Sequence, residues 1–353
     1  MGLGIPLVWS DHHRLHEPGG EVWVGVRTPG TEVPERAERI RAAVEAAGAP
    51  VVEAEDAPDD IALCFHDPAL VAWLRDSWDL WEEAGLGEDP GQNRVVPYLF
   101  AHPGLIGELP LIDPAATTAR AGRFAFDTMT LIGPGTWQAA RGAVDAALTA
   151  VGLVTAGAPA AYACCRPPGH HATAGAYGGS CYLNNAAAAA GALRARVGGP
   201  VAVLDIDAHH GNGAQSIFWS DPGVATGSVH VDPGAGWFPH FLGFAAERGG
   251  GGGGANLNLP LAPGSGDGPW LEAVASLCGF AREAGARAVV VALGVDAAAA
   301  DPESPLDVTA EGYRAAGRLL GELGLPTVVV QEGGYDLATI GELVVATLEG
   351  LDT

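Results

Sequence analysis

The sequence predicts an α/β fold in which a parallel sheet is covered by helices on both faces, and three observations lead there. Four short runs are almost wholly apolar, mostly rich in β-branched residues, at 160–165, 201–206, 288–293 and 327–331. Alanine-rich stretches of helical composition lie among them, at 185–196, 270–284 and 309–323. Each apolar run then leads into a cluster of polar, ionisable residues. Strands that read as continuous apolar runs are buried on both faces, the habit of parallel sheets alternating with helices.

The remaining elements follow in order. Residues 82–127 are poor in periodicity and rich in Gly, Pro and His, so they read as a long loop excursion, the usual place for substrate-contacting segments. Pro-Gly-Thr-Trp at 134–137 opens a helix expected to run to about Val151, with proline near its first turn. The six-glycine run at 249–254 reads as an exposed spacer; it lacks the Gly-Lys-Ser/Thr ending of a phosphate loop, and no helix pattern follows it. No linker divides the chain and no repeat is visible, so residues 1–353 read as one domain.

Composition narrows the function classes. A chain of 353 residues with 48% hydrophobic content can bury a sizeable core. Its 42 acidic residues face 18 basic ones, all arginine, for a net charge of −24. That balance argues against nucleic acid and against anionic membranes, since both need clustered cations. It favours a cationic partner. No apolar run approaches the ~20 residues of a membrane span, and the first residues lack the basic and apolar regions of a signal peptide. Five cysteines, an odd number without Cys-x-x-Cys spacing, point to a reducing compartment. A cytoplasmic protein is expected.

The chemistry gathers where the apolar runs end, the edge at which open parallel sheets hold ligands. Asp207 and His209 are two apart, so an extended segment projects both from one face. With Asp296 from another strand end they form two carboxylates and an imidazole, a three-ligand set that leaves a position open, as catalytic Zn²⁺ sites do. One such residue alone would more often cap a loop; the triple beside a His-His pair argues otherwise. An open Zn²⁺ lowers the pKa of bound water to about 7 and polarises a carbonyl. His170 and His171 can then act as base and acid, with Asp205 orienting one imidazole and Asn212 accepting from the other. Tyr335, protonated with an ordinary pKa near 10, can donate to a developing oxyanion, aimed inward by Gly333 and Gly334. His12, His13, His16, His66, His102, His230 and His240 receive no metal role, because no carboxylate or cysteine at ligand spacing accompanies them.

These motifs (RPPGHHA at 166–172, DIDAHHGNG at 205–213, LGVD ending at Asp296 and EGGY at 332–335) resemble the zinc-dependent histone deacetylase superfamily. Asn212, where other branches carry Asp, is similar to the class II side. GPGTWQA at 133–139, GGSCYLNN at 178–185 and DPGAGWFPHFLGF at 232–244, together with 294–302, look most like bacterial acetylpolyamine amidohydrolases. The resemblance implies the arginase-deacetylase fold, a mostly parallel eight-stranded sheet with helices on both faces. It implies Zn²⁺ on Asp207, His209 and Asp296, His170 and His171 as tandem catalytic histidines, and Tyr335 as the polarising phenol. It also implies a structural K⁺ near Asp205 with Ser228 contributing, and a homodimer whose long loop, 82–127 here, narrows the entrance.

By the same resemblance Gly179, Ser180 and Phe238 line an acyl tunnel, but Ser180 stands where the family usually has an aromatic. A wall lost there implies a substrate bulkier or less extended than a simple acetylated diamine. The expected reaction is hydrolysis of an N-acyl amine, most simply a cationic N-acetylpolyamine-like molecule. Another acylated metabolite and acetyl-lysine in proteins stay open as substrates. Manganese-dependent ureohydrolysis needs two metals and bridging carboxylates, which the neighbourhood of Asn212 and Asp296 lacks. A binding module without catalysis would normally have lost a ligand or the phenol. Glu108 and Asp113 read as solvated loop charges.

Overall fold

The computed structural model describes residues 2–250 and 255–353, so most of the expected glycine spacer, 251–254, lies outside the described residues. Among the described residues the ten strands are β1 (Leu7–Trp9), β2 (Glu21–Trp23), β3 (Val26–Thr28), β4 (Val51–Glu53), β5 (Ala160–Ala163), β6 (Val201–Asp205), β7 (Val224–Val231), β8 (Ala255–Leu261), β9 (Ala288–Leu293) and β10 (Thr327–Gln331). Eight of them form one sheet in the order β4-β1-β5-β10-β9-β6-β7-β8, and every pairing in it is parallel. β2 and β3 make a separate antiparallel hairpin.

The alternation within each strand explains why both faces are covered. Val289, Val291 and Leu293 of β9 pack with the helices Glu35–Ala46, Asp267–Glu283, Ala310–Gly321 and Ile340–Leu351. Ala288, Val290 and Ala292 of the same strand pack with Thr136–Thr155 and Asn185–Val197. The second pair of helices presents mostly alanine, so their backbones lie close to the sheet. The four strands read from sequence are the contiguous centre, β5-β10-β9-β6.

Some boundaries differ from the expectation. β5 and β6 end at Ala163 and Asp205, because the chain then turns to present the polar clusters. The helix expected from 134 begins at Thr136 and continues to Thr155; Pro134 stays outside it, and the Thr136 hydroxyl accepts the Gly133 N–H at 3.0 Å. The excursion at 82–127 is not purely loop. It contains the short helices Pro103–Ile106 and Thr117–Phe124, the second anchored by Phe124 stacked on Trp73 with ring centroids 6.1 Å apart. No helix of the described residues is long and apolar enough to cross a membrane, and all five cysteines are free thiols.

A buried ionic junction ties the N-terminal segment to the loops after β5 and β10. Glu32 lies 2.8 Å from the Arg36 Nη1 and 2.8 Å from the Arg166 Nε, and all three are about 2% exposed. Arg36 also donates to the carbonyls of Glu332 (2.6 Å) and Gly334 (2.5 Å), and its guanidinium lies 4.6 Å from the centroid of the Tyr335 ring. Burial works against a charged Glu32, but Arg166, His16 and Arg36 outweigh it and hold the carboxyl far below its ordinary 4.5. Removing one partner of such a buried pair strands the others, so Glu32→Gln should cost about 3–5 kcal/mol in denaturant unfolding at neutral pH. A carboxyl depressed by folding contributes fully above its unfolded pKa and loses that contribution as the pH falls. The deficit of the variant should therefore shrink below pH 4.5.

Candidate active site and metal centre

The loops that follow the four central strands converge at the sheet's carboxyl edge. Asp207 and Asp296 are wholly buried, and His209 sits between them with its side chain 13% exposed. The His209 Nδ1 lies 2.9 Å from Asp296 Oδ2 and 3.3 Å from Asp207 Oδ1, and one donor atom from each residue falls within 4.8 Å of the others. Backbone amides hold the carboxylates in place: Gly333 N–H donates to Asp207 Oδ2 at 2.7 Å, and Ala208 N–H to Asp296 Oδ1 at 2.8 Å.

Glycine at 294 and 333 is a steric requirement here. A β-carbon at Gly294 would lie 1.9 Å from Asp207 Oδ2, and one at Gly333 would lie 2.5 Å from oxygens of both aspartates.

Electrostatics supports a cation at this point. Burial and the neighbouring Asp207 push the Asp296 carboxyl up to about 7. Burial opposes a charge on His209, yet Asp207 and Asp296 raise its pKa well above the ordinary value. Two buried carboxylates thus demand positive charge, and without a metal only an imidazolium proton answers. A divalent ion fits this donor set.

A second group of donors, His170, Cys181 and Glu332, is equally compact but chemically unsuited. Burial drives the Cys181 thiol far above its normal pKa, keeping it protonated. Glu332 Oε2 is spent on the amides of Gly169 (2.6 Å) and His170 (3.0 Å).

The tandem histidines lie beside the aspartates, their ring centroids 4.0 Å apart. His170 Nδ1 meets Asp205 Oδ2 at 2.9 Å, and His171 Nδ1 meets Asn212 Oδ1 at 2.7 Å. Asn212 Nδ2 donates to the His171 carbonyl at 3.2 Å, which fixes the amide so that its oxygen faces the ring. His171 must then carry its proton on Nδ1, leaving Nε2 free to accept one. Burial disfavours a charged His170, but Asp207 and Asp205 prevail and push it up to about 10. Burial and the two neighbouring imidazoles hold His171 well below the ordinary value. The Tyr335 backbone N–H donates to Asp301 Oδ2 at 2.7 Å. Burial keeps the Tyr335 phenol protonated against the opposing pull of Arg36.

His171, His209 and Tyr335 open on a cavity of about 440 Å³ that is also lined by Gly179, Ser180 and Phe238. Phe238 meets His171 edge-on with ring centroids 4.8 Å apart, and Phe126 stacks on Phe238 at 6.2 Å. Ser180 holds a left-handed conformation at φ 61°, with its N–H donated to the Thr130 hydroxyl at 2.9 Å. A second cleft, about 470 Å³, lies at the opposite sheet edge beside Pro159, Pro326 and Leu325; its only ionisable side chain is Asp352, so it has no catalytic equipment.

A protein-family model for the histone deacetylase domain matches residues 30–351. The chain belongs to this family. It is 39% identical to acetylpolyamine amidohydrolase 1 of Pseudomonas aeruginosa over 98% of both chains. It is 37% identical to the acetylpolyamine amidohydrolase of Mycoplana ramosa, covering 98% of this chain and 99% of that one. The crystal structure of an acetylpolyamine aminohydrolase from Burkholderia pseudomallei superposes with a TM-score of 0.91 at 38% identity, over 98% of each chain. The eight-stranded parallel sheet and its flanking helices are the arginase-deacetylase fold, and the family is one of deacetylase hydrolases that use a metal.

Sequence reasoning missed Phe126, Met129, Glu21, Trp23 and Glu303. The last four line the cavity, and Phe126 stacks on Phe238. They come from the hairpin and from loops, whose approach to the site no local pattern records. Of the histidines left without a metal role, His66 Nε2 accepts the Asn184 N–H at 2.9 Å and His230 bonds Ser228 and the Gly243 carbonyl, whereas His240 lines the cavity. Asp113 pairs with Arg123 on the surface, and Glu108 is exposed.

The close approach at Gly294 yields a sharp expectation. Gly294→Ala should displace Asp207 and weaken divalent-metal binding by about 10–100-fold, read by chelator competition, while circular dichroism stays native.

Proposed function

We propose that this chain is a zinc-dependent amidohydrolase that removes an acetyl or other short acyl group from a small acylated amine of the N-acetylpolyamine type. The observation carrying this reading is the convergence of Asp207, His209 and Asp296 beside an oriented His-His pair, with His171, His209 and the half-buried Tyr335 lining one cavity. Named relatives along the whole chain support the same substrate class. Zn²⁺ on that triad would supply a Lewis acid for the acyl carbonyl and an acidified water.

The chain's own residues supply the rest. His171, with Nδ1 held by Asn212, has Nε2 available to take a proton from the attacking water and return it to the departing amine. His170, paired with Asp205, keeps positive charge next to the developing negative charge. The Tyr335 hydroxyl donates to the oxyanion. The products are acetate and a free amine. A structural K⁺ near Asp205 belongs to this reading, supported by the register that pairs Asp205 with Ser228 on β7.

We read residues 1–353 as one cytoplasmic deacetylase domain. A homodimer also belongs to the reading, supported by exposed apolar residues along the excursion, among them Tyr98, Leu105, Leu109 and Ile112. Ser180 favours a second substrate, an acylated metabolite broader than a linear diamine, because a serine removes an apolar wall where it lines the cavity.

Tyr335→Phe keeps the ring and deletes the donor, so kcat on N-acetylputrescine should fall about 10²–10³-fold with metal content unchanged; near-wild-type turnover would remove the phenol from the mechanism. Ser180→Phe should shift kcat/KM toward slim linear substrates in a panel of acylated amines. An unmoved profile would dissolve the tunnel assignment.

A further inference from the structure

The segment that brings Phe238 to His171 has few directional ties of its own. Among the described residues, the hydrogen bonds of 233–242 stay within the segment and Asp232: Gly234 and Ala235 donate to Asp232, Gly236 to Pro233, His240 to Trp237 and Phe241 to Pro239. Phe241 is 88% exposed. Trp237 packs against the core and Phe126 stacks on Phe238, but apolar contact is non-directional and does not by itself fix where the Phe238 ring stands. That position is set by the two ends of the segment. At the first, the Asp232 N–H donates to the Leu261 carbonyl of β8 at 2.8 Å.

The second end is held by one half-buried side chain, Glu247, which lies outside the cavity. Its Oε1 accepts the N–H of Phe244 at 3.2 Å, and the N–H of Gly243 is shared between both oxygens at 3.2 and 3.1 Å. Its Oε2 also accepts Gln215 Nε2 at 2.6 Å and Asn258 Nδ2 at 3.0 Å. Asn258 belongs to β8, and Gln215 to the helix Asn212–Phe218 that follows the His209 segment. Having given its amide nitrogen to Glu247, Gln215 turns its oxygen to His210 Nε2 at 3.0 Å, one residue beyond His209. His230 Nε2 donates to the Gly243 carbonyl at 2.8 Å, and a β-carbon on Gly243 would lie 2.8 Å from that nitrogen, so the turn is seated closely. Every group facing the two oxygens of Glu247 is a donor. A carboxylate satisfies them all, whereas a carboxamide would set its own NH₂ against N–H groups whichever way it turned.

We propose that Glu247 is a positioning residue for substrate selection. Its carboxylate clamps the 243–247 turn to Gln215 and Asn258, and through that turn holds Phe238 where it separates slim from broad acylated amines. Glu247 touches no reacting atom. The proposal rests on the deacetylase reading and deepens it.

The test compares N-acetylputrescine with N-acetyl-p-xylylenediamine, which keeps the distal amine and puts a benzene ring in place of the methylene chain, on the Zn²⁺-loaded full chain. In Glu247→Gln the kcat/KM ratio of slim to broad amide should fall about tenfold, through KM for the slim one, with its kcat held. Phe238→Ala should lower the ratio similarly. Adding Glu247→Gln to Phe238→Ala should then change the ratio by less than about twofold, because the carboxylate acts through the ring. An unmoved ratio in the single variant, or an undiminished effect on the Phe238→Ala background, overturns the proposal and leaves the deacetylase intact. Should the glutamine variant fail to fold, Glu247→Asp, which keeps the charge but is too short to reach both sets of donors, takes its place in the same cycle. If the wild type cleaves neither amide, the functional reading itself fails, and hydrogen exchange decides the clamp separately. Amides of Gly243 and Phe244 that exchange about tenfold or more faster in the variant, with β6 protected as before, support it. Unchanged exchange overturns it.

Discussion

Two carboxylates sealed from water around one imidazole make the constraint on which this molecule is organised. Asp207 and Asp296 are fully buried, and their mutual repulsion is relieved only by positive charge at the point where they meet His209. A buried charge is tolerated only when it is paired or coordinated. Much of the surrounding backbone serves that requirement. The amides of Gly333 and Ala208 brace the aspartates, and glycines at 294 and 333 leave no side chain where the carboxylates must sit.

The sheet topology makes this convergence possible. The tandem histidines, Asp207 with His209, Asp296 and Tyr335 follow β5, β6, β9 and β10, which are adjacent in space though far apart in the chain. Parallel strands bring all four loops to the same edge. The Glu32–Arg36–Arg166 junction then ties the early segment to two of those loops, with Arg36 gripping the carbonyls on either side of Gly333 and lying against the Tyr335 ring. Charges deep in the protein are thus spent on holding the phenol and the histidines in register with the aspartates.

The central strands and the chemistry at their ends were legible in the sequence because each combines an apolar run with an immediate polar cluster. The outer strands were not. β1 and β4 are three residues long, too short to carry a period, and β7 interrupts its apolar residues with Thr, Gly, Ser and His. Asp207, His209 and Asp296 could be grouped because two of them share an extended segment and the third ends a recognisable strand. Glu21, Trp23 and Glu303 could not, since they reach the cavity through a hairpin and a loop positioned by tertiary packing. The aromatic missing at Ser180 was visible, whereas the stacking of Phe126 on Phe238 was not, as the two lie more than a hundred residues apart.

The most direct measurement is anomalous diffraction at the zinc edge from crystals grown with Zn²⁺. The account predicts a single strong peak enclosed by Asp207, His209 and Asp296. Two peaks bridged by shared carboxylates, or none between these side chains, would contradict it.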